Sequence, residues 1–341
     1  MTRKGTSPPV RPALARDQVE ATVDAYRRLF DEAGGGDVRV RKQRYKTLVT
    51  QFYDLVTDFY VFGWGESFHF APRKRGESFA ASLVRYERFL SEQTGLRPGM
   101  AALDVGCGVG GPMREIARYS GARIVGINAN TYQVRKCRAF NGKAGLERQC
   151  ALLNADFMHV PAADSTFDAI YAIEATPHAP DKTALFRELR RVMRPGAYFA
   201  GYEWCLTDRY DPDNPEHRRI KGGIEEGTAL PDLATEPAVI EALEAAGFEV
   251  VGFKDVAPES DPETPWYRAL AGHDLSLRSL PRTPIGRWLT NWTVRFLEFT
   301  GVAPRGTTAV SAFLNRSADA LVAGGETGIF TPMFYFLARK R

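Results

Sequence analysis

The stretch LDVGCGVGG, Leu103 to Gly111, restricts the folds open to this chain more than any other segment. The apolar run AALDV leads into it and a helical pattern leads out of it. Gly106, Gly108 and Gly111 satisfy G-x-G-x-x-G, a loop that turns a strand sharply into a helix and lets a ligand approach the backbone. From Met100 onward, strand-like runs alternate with helical stretches: AALDV, ARIVGI, CALLNAD, DAIYAIE and AYFAGYEW, with a helix around Lys182 to Val192. A further helix is predicted over Pro237 to Ala246 and a sixth strand over Glu249 to Phe253. This alternation predicts a parallel sheet with crossover helices. The terminal run MFYFLARK predicts a last strand, with a mostly helical stretch, 258–330, inserted before it.

Two ligand classes use such a loop, dinucleotides and the nucleoside cofactor S-adenosylmethionine. The context separates them. Asp104 stands on the strand end, two residues before the first glycine, where a dinucleotide fold carries an apolar residue. The second strand ends GINAN rather than in the Asp or Glu that a dehydrogenase offers to a ribose diol. Asn128 still supplies an acceptor and two donors to a diol. The third strand ends NADF, so Asp156 and Phe157 are placed to meet an adenine. Together these spacings resemble a class I S-adenosylmethionine methyltransferase, an α/β, Rossmann-like fold. That resemblance implies a seven-stranded, mostly parallel sheet with an antiparallel last strand. The candidate cofactor-binding residues are Asp104, Gly106, Cys107, Gly108, Asn128, Asn130, Gln133, Asp156, Phe157 and Glu174, with a dinucleotide as the alternative ligand.

Charge and composition exclude other classes. The net charge is +4, and no basic run with interleaved aromatics follows a nucleic-acid backbone. Four cysteines show no CxxC pair, and five scattered histidines add no zinc spacing, so no metal is expected. The expectation is reduced thiols inside a cell. No apolar run approaches the ~18 residues needed to span a bilayer. The N-terminal MTRKGTSPPVRPA lacks an apolar core, so it is expected to be a disordered lead-in rather than a signal peptide. The expected divisions are an N-terminal extension (1–40), a helical and aromatic segment (41–95), the cofactor-binding core (96–255) and a C-terminal region (256–341). Helices are predicted from about Asp17 to Glu32, from the basic stretch at Arg39 to Lys46 through Val56, and from Phe79 to Gln93.

YVFGWGESFHF, Tyr60 to Phe70, packs five aromatics into eleven residues, with a Glu and a His among them. It is either aromatic core or the wall of a site. An extended backbone would put Tyr60, Phe62 and Trp64 on one face. Gly63 and Gly65 argue instead for a loop or tight bend.

With LDVGCGVGGP, three further stretches resemble the sterol 24-C-methyltransferase family: YVFGWGESFHF, YAIEATPHAP and YEWCLTDRYDPDNPEHR. PWYRAL and LVAGGETGIFTPMFYFLARK extend the resemblance from about Tyr45 to the C-terminus. It implies methyl transfer from S-adenosylmethionine to C24 of a sterol side-chain alkene, followed by loss of a proton from a carbocation. Aromatic faces suit such a cation, and excluding water protects it from capture. Tyr60, Phe62, Trp64, Phe68, Phe70, Tyr171 and Glu203 are the candidate substrate contacts. Glu174, His178, His69 and Glu66 are the candidate catalytic groups, with Asp58 and Glu203 as further possible proton acceptors. Two departures bear on this. Where the family usually reads Tyr-Glu-Tyr-Gly-Trp-Gly, this chain has Val61 for the acid and Phe62 for the phenol, and it has Pro177 where Cys is common. The base is therefore expected elsewhere, with Glu66 one replacement. The resemblance also implies a homo-oligomer and peripheral association with the cytoplasmic face of a sterol-synthesising membrane. Trp288, Trp292 and Phe299 share a helical stripe that either packs inward or touches that membrane. The rival readings are a methyltransferase of another polyprenoid or a tocopherol-like phenol, and a non-catalytic binding protein.

Overall fold

The computed structural model describes residues 10–31, 37–272 and 284–341. Most of the N-terminal lead-in, and 273–283 of the helical C-terminal stretch, lie outside these residues. Helices α1 (Val19–Asp31), α2 (Val38–Gln43), α3 (Tyr45–Gly63) and α4 (Phe79–Gln93) precede the sheet. The alternating part runs β1 (Ala101–Val105), α5 (Gly111–Ser120), β2 (Arg123–Ile127), α6 (Thr131–Lys143), β3 (Cys150–Leu153), β4 (Phe167–Ile173), α7 (Lys182–Val192) and β5 (Met193–Leu206). Then come α8 (Pro215–Thr228), β6 (Ala234–Thr235), α9 (Glu236–Ala245), β7 (Phe248–Asp255), α10 (Arg268–Ala271), α11 (Pro284–Phe299), α12 (Thr307–Thr327) and β8 (Phe330–Lys340).

The strand order is β3-β2-β1-β4-β5-β8-β7, with the two-residue β6 paired to β5. Strands β1 to β5 are parallel, and β8 runs antiparallel to both β5 and β7. Seven principal strands were expected; β6 is the addition. Apart from Asp104 and Asp168, the β1 and β4 runs are apolar because helices cover both sheet faces. Chain order reverses between β1 and β4, and such a switch point opens a crevice at the carboxyl ends of the strands. Asp104 and Glu174 come from those two ends.

Helix caps follow the sequence. Ser78, Asn130, Asp181, Asn214 and Thr235 each accept a backbone N–H at the start of α4, α6, α7, α8 and α9. One expectation is corrected. The helix predicted through Val56 breaks at Arg44 into α2 and α3, and α3 then runs on to Gly63. Tyr60 to Gly63 are therefore its last turn, neither extended nor loop. The bend comes at Gly65, whose φ of +109° suits glycine.

Candidate active site

The glycine loop forms the floor of a cleft of about 900 Å³. Gly106 has φ +71°, and a Cβ there would stand 2.4 Å from the Ala175 Cβ, so only glycine fits. Its N–H and that of Cys107 donate to Ile127 O at 2.9 and 3.1 Å, fixing the loop against β2. At the loop's far end Gly111 N–H donates to Glu66 O at 3.1 Å. The Glu66 carboxylate pairs with Arg114 at 2.5 Å, and Arg114 also donates to Val109 O. The aromatic segment is thereby clamped onto the glycine loop.

Asp104 is buried in this cleft, and burial pushes its pKa up to about 7. Its Oδ2 has no well-formed hydrogen bond; the Tyr171 phenol lies beside the carboxyl without completing one. Asn128 donates to Gln133 Oε1 at 2.8 Å and to Gly108 O at 3.3 Å, and its oxygen accepts Asn130 N–H. Asp156 accepts the Tyr45 hydroxyl from α3 and the N–H of Met158. Tyr45, Val49 and Tyr53 roof the cleft from α3.

A second cavity of about 1340 Å³ adjoins it. Tyr60, Phe62, Trp64, Phe68 and Phe70 all line it, opposite Trp204 on β5 and leucines of α12. The rings brace one another edge-on: Trp64 against Phe70 (5.3 Å), Phe70 against Trp266 (4.9 Å) and Tyr60 against Phe68 (5.4 Å). In each such contact one ring presents only its edge, so its own faces stay clear of that partner. Val61 does not line it.

Five side chains line both spaces: Tyr53, Phe68, His69, Glu174 and His178. Glu174 holds φ +53°, a strained value for a residue with a Cβ, and such strain gathers at functional sites. Its Oε1 accepts Phe70 N–H at 2.7 Å and its Oε2 accepts Trp204 Nε1–H at 2.8 Å. Burial pushes its pKa up to about 8, against the opposing pull of His69 and the two donors. In His178, Nδ1 faces Ala229 O at 3.1 Å and so carries the proton. Nε2 is then free to accept the Tyr53 hydroxyl at 3.1 Å. Burial, with the Lys182 charge, brings this imidazole down to about 4, so it is neutral at pH 7. His69 differs. Its nitrogens face only acceptors, Phe70 O at 2.8 Å and Glu87 Oε1 at 3.0 Å. Burial disfavours its charge, but the bond to Glu87 and the charges of Glu87 and Glu174 prevail, and its pKa is raised.

A family model described as a methyltransferase domain matches residues 103–201, and one described as the sterol methyltransferase C-terminal region matches 277–340. A cycloartenol-C-24-methyltransferase of Oryza sativa subsp. japonica is 48% identical over 327 residues, covering 96% of this chain and 94% of the relative. A sterol 24-C-methyltransferase of Saccharomyces cerevisiae is 43% identical over 326 residues, covering 93% and 85%. The chain belongs to the sterol 24-C-methyltransferase family. Among solved structures, a cyclopropane synthase from Mycobacterium tuberculosis superposes with a TM-score of 0.66 at 18% identity, covering 86% of this chain and 97% of that one. That likeness shows the shared class I methyltransferase fold.

S-adenosylmethionine is the methyl donor of this sterol methyltransferase, and the glycine-loop cleft fits it. The orphaned Asp104 oxygen suits an ammonium, the Gly106 cradle admits a ligand against bare backbone, and Asn128, Asp156 and Phe157 border the same space. Among the described residues, no group of three or more His, Cys, Asp or Glu is placed to hold a metal ion.

The structure separates the remaining sequence candidates. Gly106, Cys107, Gly108 and Gln133 line the cleft. Asn130 lies outside it: its side chain caps α6 and ties α3 through Asp54 at 2.8 Å. Tyr171 sits in the core beneath the loop and reaches neither cavity, because it pairs with Asp104 on the same sheet face but stands back from the carboxyl end of β4. Glu203 is fully buried with Lys182 at 3.2 Å and Thr176, and it too lines neither space. Glu66 borders the cleft but is held by Arg114 and does not line the aromatic cavity, so it is a poor replacement base. Asp58 is bound to Tyr132 and Lys136 away from both. Sequence reasoning missed Tyr53, Glu87 and Trp204. Trp204 lay inside a quoted motif, whereas nothing in spacing marks Tyr53, since a tyrosine on an amphipathic helix reads as core.

Proposed function

We propose that this methyltransferase adds a methyl group to C24 of a Δ24 sterol in sterol biosynthesis, with the sterol side chain in the aromatic cavity and its alkene at the wall shared with the cofactor cleft. The observation that carries this reading is the pair of adjoining cavities with Glu174 between them. The family membership supports the substrate class.

When bound, S-adenosylmethionine supplies a methyl group on a positively charged sulfur. The chain's own residues do the rest. The glycine loop and Asp104 hold the donor at one end of the crevice, and the aromatic cavity holds the apolar side chain at the other; alignment of the two is the main catalytic contribution. The rings of Tyr60, Phe68 and Trp64 offer faces to the positive charge that develops on the side chain, at ~0.5–2 kcal/mol each. The Glu174 carboxylate is the counter-ion. A cation in either space draws its pKa down from about 8, so it ionises when one is present. Glu174, or His178 through its unprotonated Nε2, accepts the departing proton. His69 and Glu66 are positioning groups, the one buried against Glu87 and the other clamping the glycine loop. Val61 lies off the cavity wall, which fits a base located at the end of β4 instead. Because the substrate is a bilayer lipid, the enzyme works as a peripheral visitor to a sterol-synthesising membrane. No helix among the described residues is long and apolar enough to cross one.

The test is incubation with labelled S-adenosylmethionine and a panel of Δ24 sterols, with products read by mass spectrometry. A 24-methyl or 24-methylene product is expected. Cofactor binding without label transfer to any sterol would overturn the reading.

A further inference from the structure

Surface helices turn their apolar stripe inward. Helix α11 does the reverse. Its inner side carries Asn291, which accepts from Ser311 Oγ at 2.7 Å and Asn315 Nδ2 at 3.2 Å. It also carries Glu298, which accepts the N–H groups of Gly306 and Thr308 at the start of α12. Its outer side carries Trp288, Leu289, Trp292, Phe296 and Phe299, all exposed, with both tryptophans 61% and Phe299 90% open to solvent. Positions 288, 292, 296 and 299 form one stripe about 17 Å long. At roughly 150–250 Å² per aromatic side chain, the stripe shows several hundred Å² of apolar surface, as much as the largest patch on a typical monomer.

Two further observations say what covers it. The first is charge. Between 284 and 305 the only acid is Glu298, which is committed to α12, while Arg295 and Arg305 are exposed. The second is continuity with the site. Thr290, on this same helix, lines the aromatic cavity, and so does Phe62, which is 80% exposed and therefore marks where the cavity opens.

We propose that the outer face of α11 is a membrane-docking surface that lies in the headgroup region of an anionic bilayer and sets the mouth of the aromatic cavity against the leaflet. The proposal rests on the sterol reading of that cavity and adds the route by which the substrate arrives: sideways from the leaflet, past Phe62, without crossing water. Tryptophan and phenylalanine suit the interfacial depth, and the two arginines suit anionic headgroups. The stripe is too short and too one-sided to span the membrane.

The experiment uses the full chain and sterol-free vesicles of phosphatidylcholine, with or without phosphatidylserine. The wild type is expected to float with the vesicles, more strongly with phosphatidylserine, and its tryptophan emission to shift to the blue and be quenched by brominated phosphatidylcholine. The triple variant W288S/W292S/F299S should lose about tenfold or more of its partitioning. These side chains face solvent, so its cofactor affinity and its turnover of detergent-solubilised sterol should remain. The R295E/R305E variant should lose the phosphatidylserine dependence. Equal flotation of the triple variant and the wild type overturns the proposal. So does a wild-type dimer in solution that the triple variant converts to monomer without any vesicle binding, because the face then belongs to a second copy. Vesicle binding with no methylation of any Δ24 sterol leaves the surface standing and removes the substrate reading. Methylation in detergent with no vesicle binding removes the surface alone.

Discussion

Replacing Glu174 by Gln probes the shared wall through both stability and turnover. The carboxyl is enclosed, and its pKa rises from 4.5 to about 8 because burial outweighs the His69 charge and the donors Phe70 N–H and Trp204 Nε1–H. Across that window the folded protein keeps a proton that the unfolded chain has released. Stability therefore falls as pH rises through it. At about 1.4 kcal/mol per pKa unit, the whole window is worth on the order of 4–5 kcal/mol. Glutamine does not titrate, so E174Q loses this slope. It also presents one acceptor oxygen to two donors, leaving one N–H facing an amide NH₂ at about 1–3 kcal/mol. Thermal unfolding of the ligand-free proteins should then show E174Q below the wild type near about pH 5, with the gap closing or reversing near about pH 9. Calorimetry adds a second readout. The wild-type preference for the sulfonium cofactor over its neutral thioether product should grow between pH 6 and 8, by at most about tenfold per unit, and E174Q should show no such trend. Turnover should fall by about 10²–10⁴. Parallel stability–pH curves for the two proteins, together with turnover of E174Q near the wild-type level, would refute the placement of Glu174 as a buried, cation-sensing carboxylate.

The other predictions follow from the same geometry. H178A should lower kcat by about 10²–10³ with little change in cofactor affinity, and Y53F should do less, because it removes only the hydroxyl at 3.1 Å from Nε2. G106A places a methyl 2.4 Å from the Ala175 Cβ in a φ +71° backbone, so calorimetry should find cofactor binding abolished or severely weakened. D104N should flatten the pH dependence of cofactor affinity. In the wild type, affinity should fall as pH drops through about 7, where the buried carboxylate takes up a proton. E87Q removes the partner that favours the protonated form of His69, at about 3 kcal/mol. The raised His69 pKa means that this stabilisation is complete below pH 6.5 and is lost as pH climbs through the folded value, so the E87Q deficit should be largest in acid and shrink in base.

The sheet was legible because its signals are local. A parallel strand buried on both faces is mostly apolar along its length, so AALDV and DAIYAIE stand out despite Asp104, Asp168 and Glu174, and Gly106 after β1 marks backbone packed too closely on Ala175 for a Cβ. The segment at 60–70 was less legible. Alternating aromatics suggested an extended wall, but a helix that has already run from Tyr45 gains a further turn at little cost, and Gly63 was tolerated inside it. Glu203 and Tyr171 looked like site residues because they belong to motifs at strand ends. Strand register turns Glu203 away from the cavity that its neighbour Trp204 lines, and Tyr171 stands too far back along β4 to reach the cleft. Helix α8 escaped notice although Asn214-Pro215 is an ordinary helix start, accepting from Glu216 and His217.

The segment after Trp64 bonds to both halves of the site, and those bonds bear on the valine at position 61. Within six residues it holds the glycine loop through Glu66 O and Arg114, reaches α4 through Ser67 and His69 to Glu87, and donates Phe70 N–H to Glu174. The same backbone thus orders the donor cleft and fixes the carboxylate that faces the aromatic cavity. Position 61 stands one turn earlier, on α3, and its side chain meets neither space. An acid there can act only through its neighbours, whereas Glu174 lies between the two cavities. On the proposed mechanism, the negative charge beside the transient cation comes from the end of β4, and the 60–70 segment supplies the aromatic faces and the N–H group that holds that charge in place.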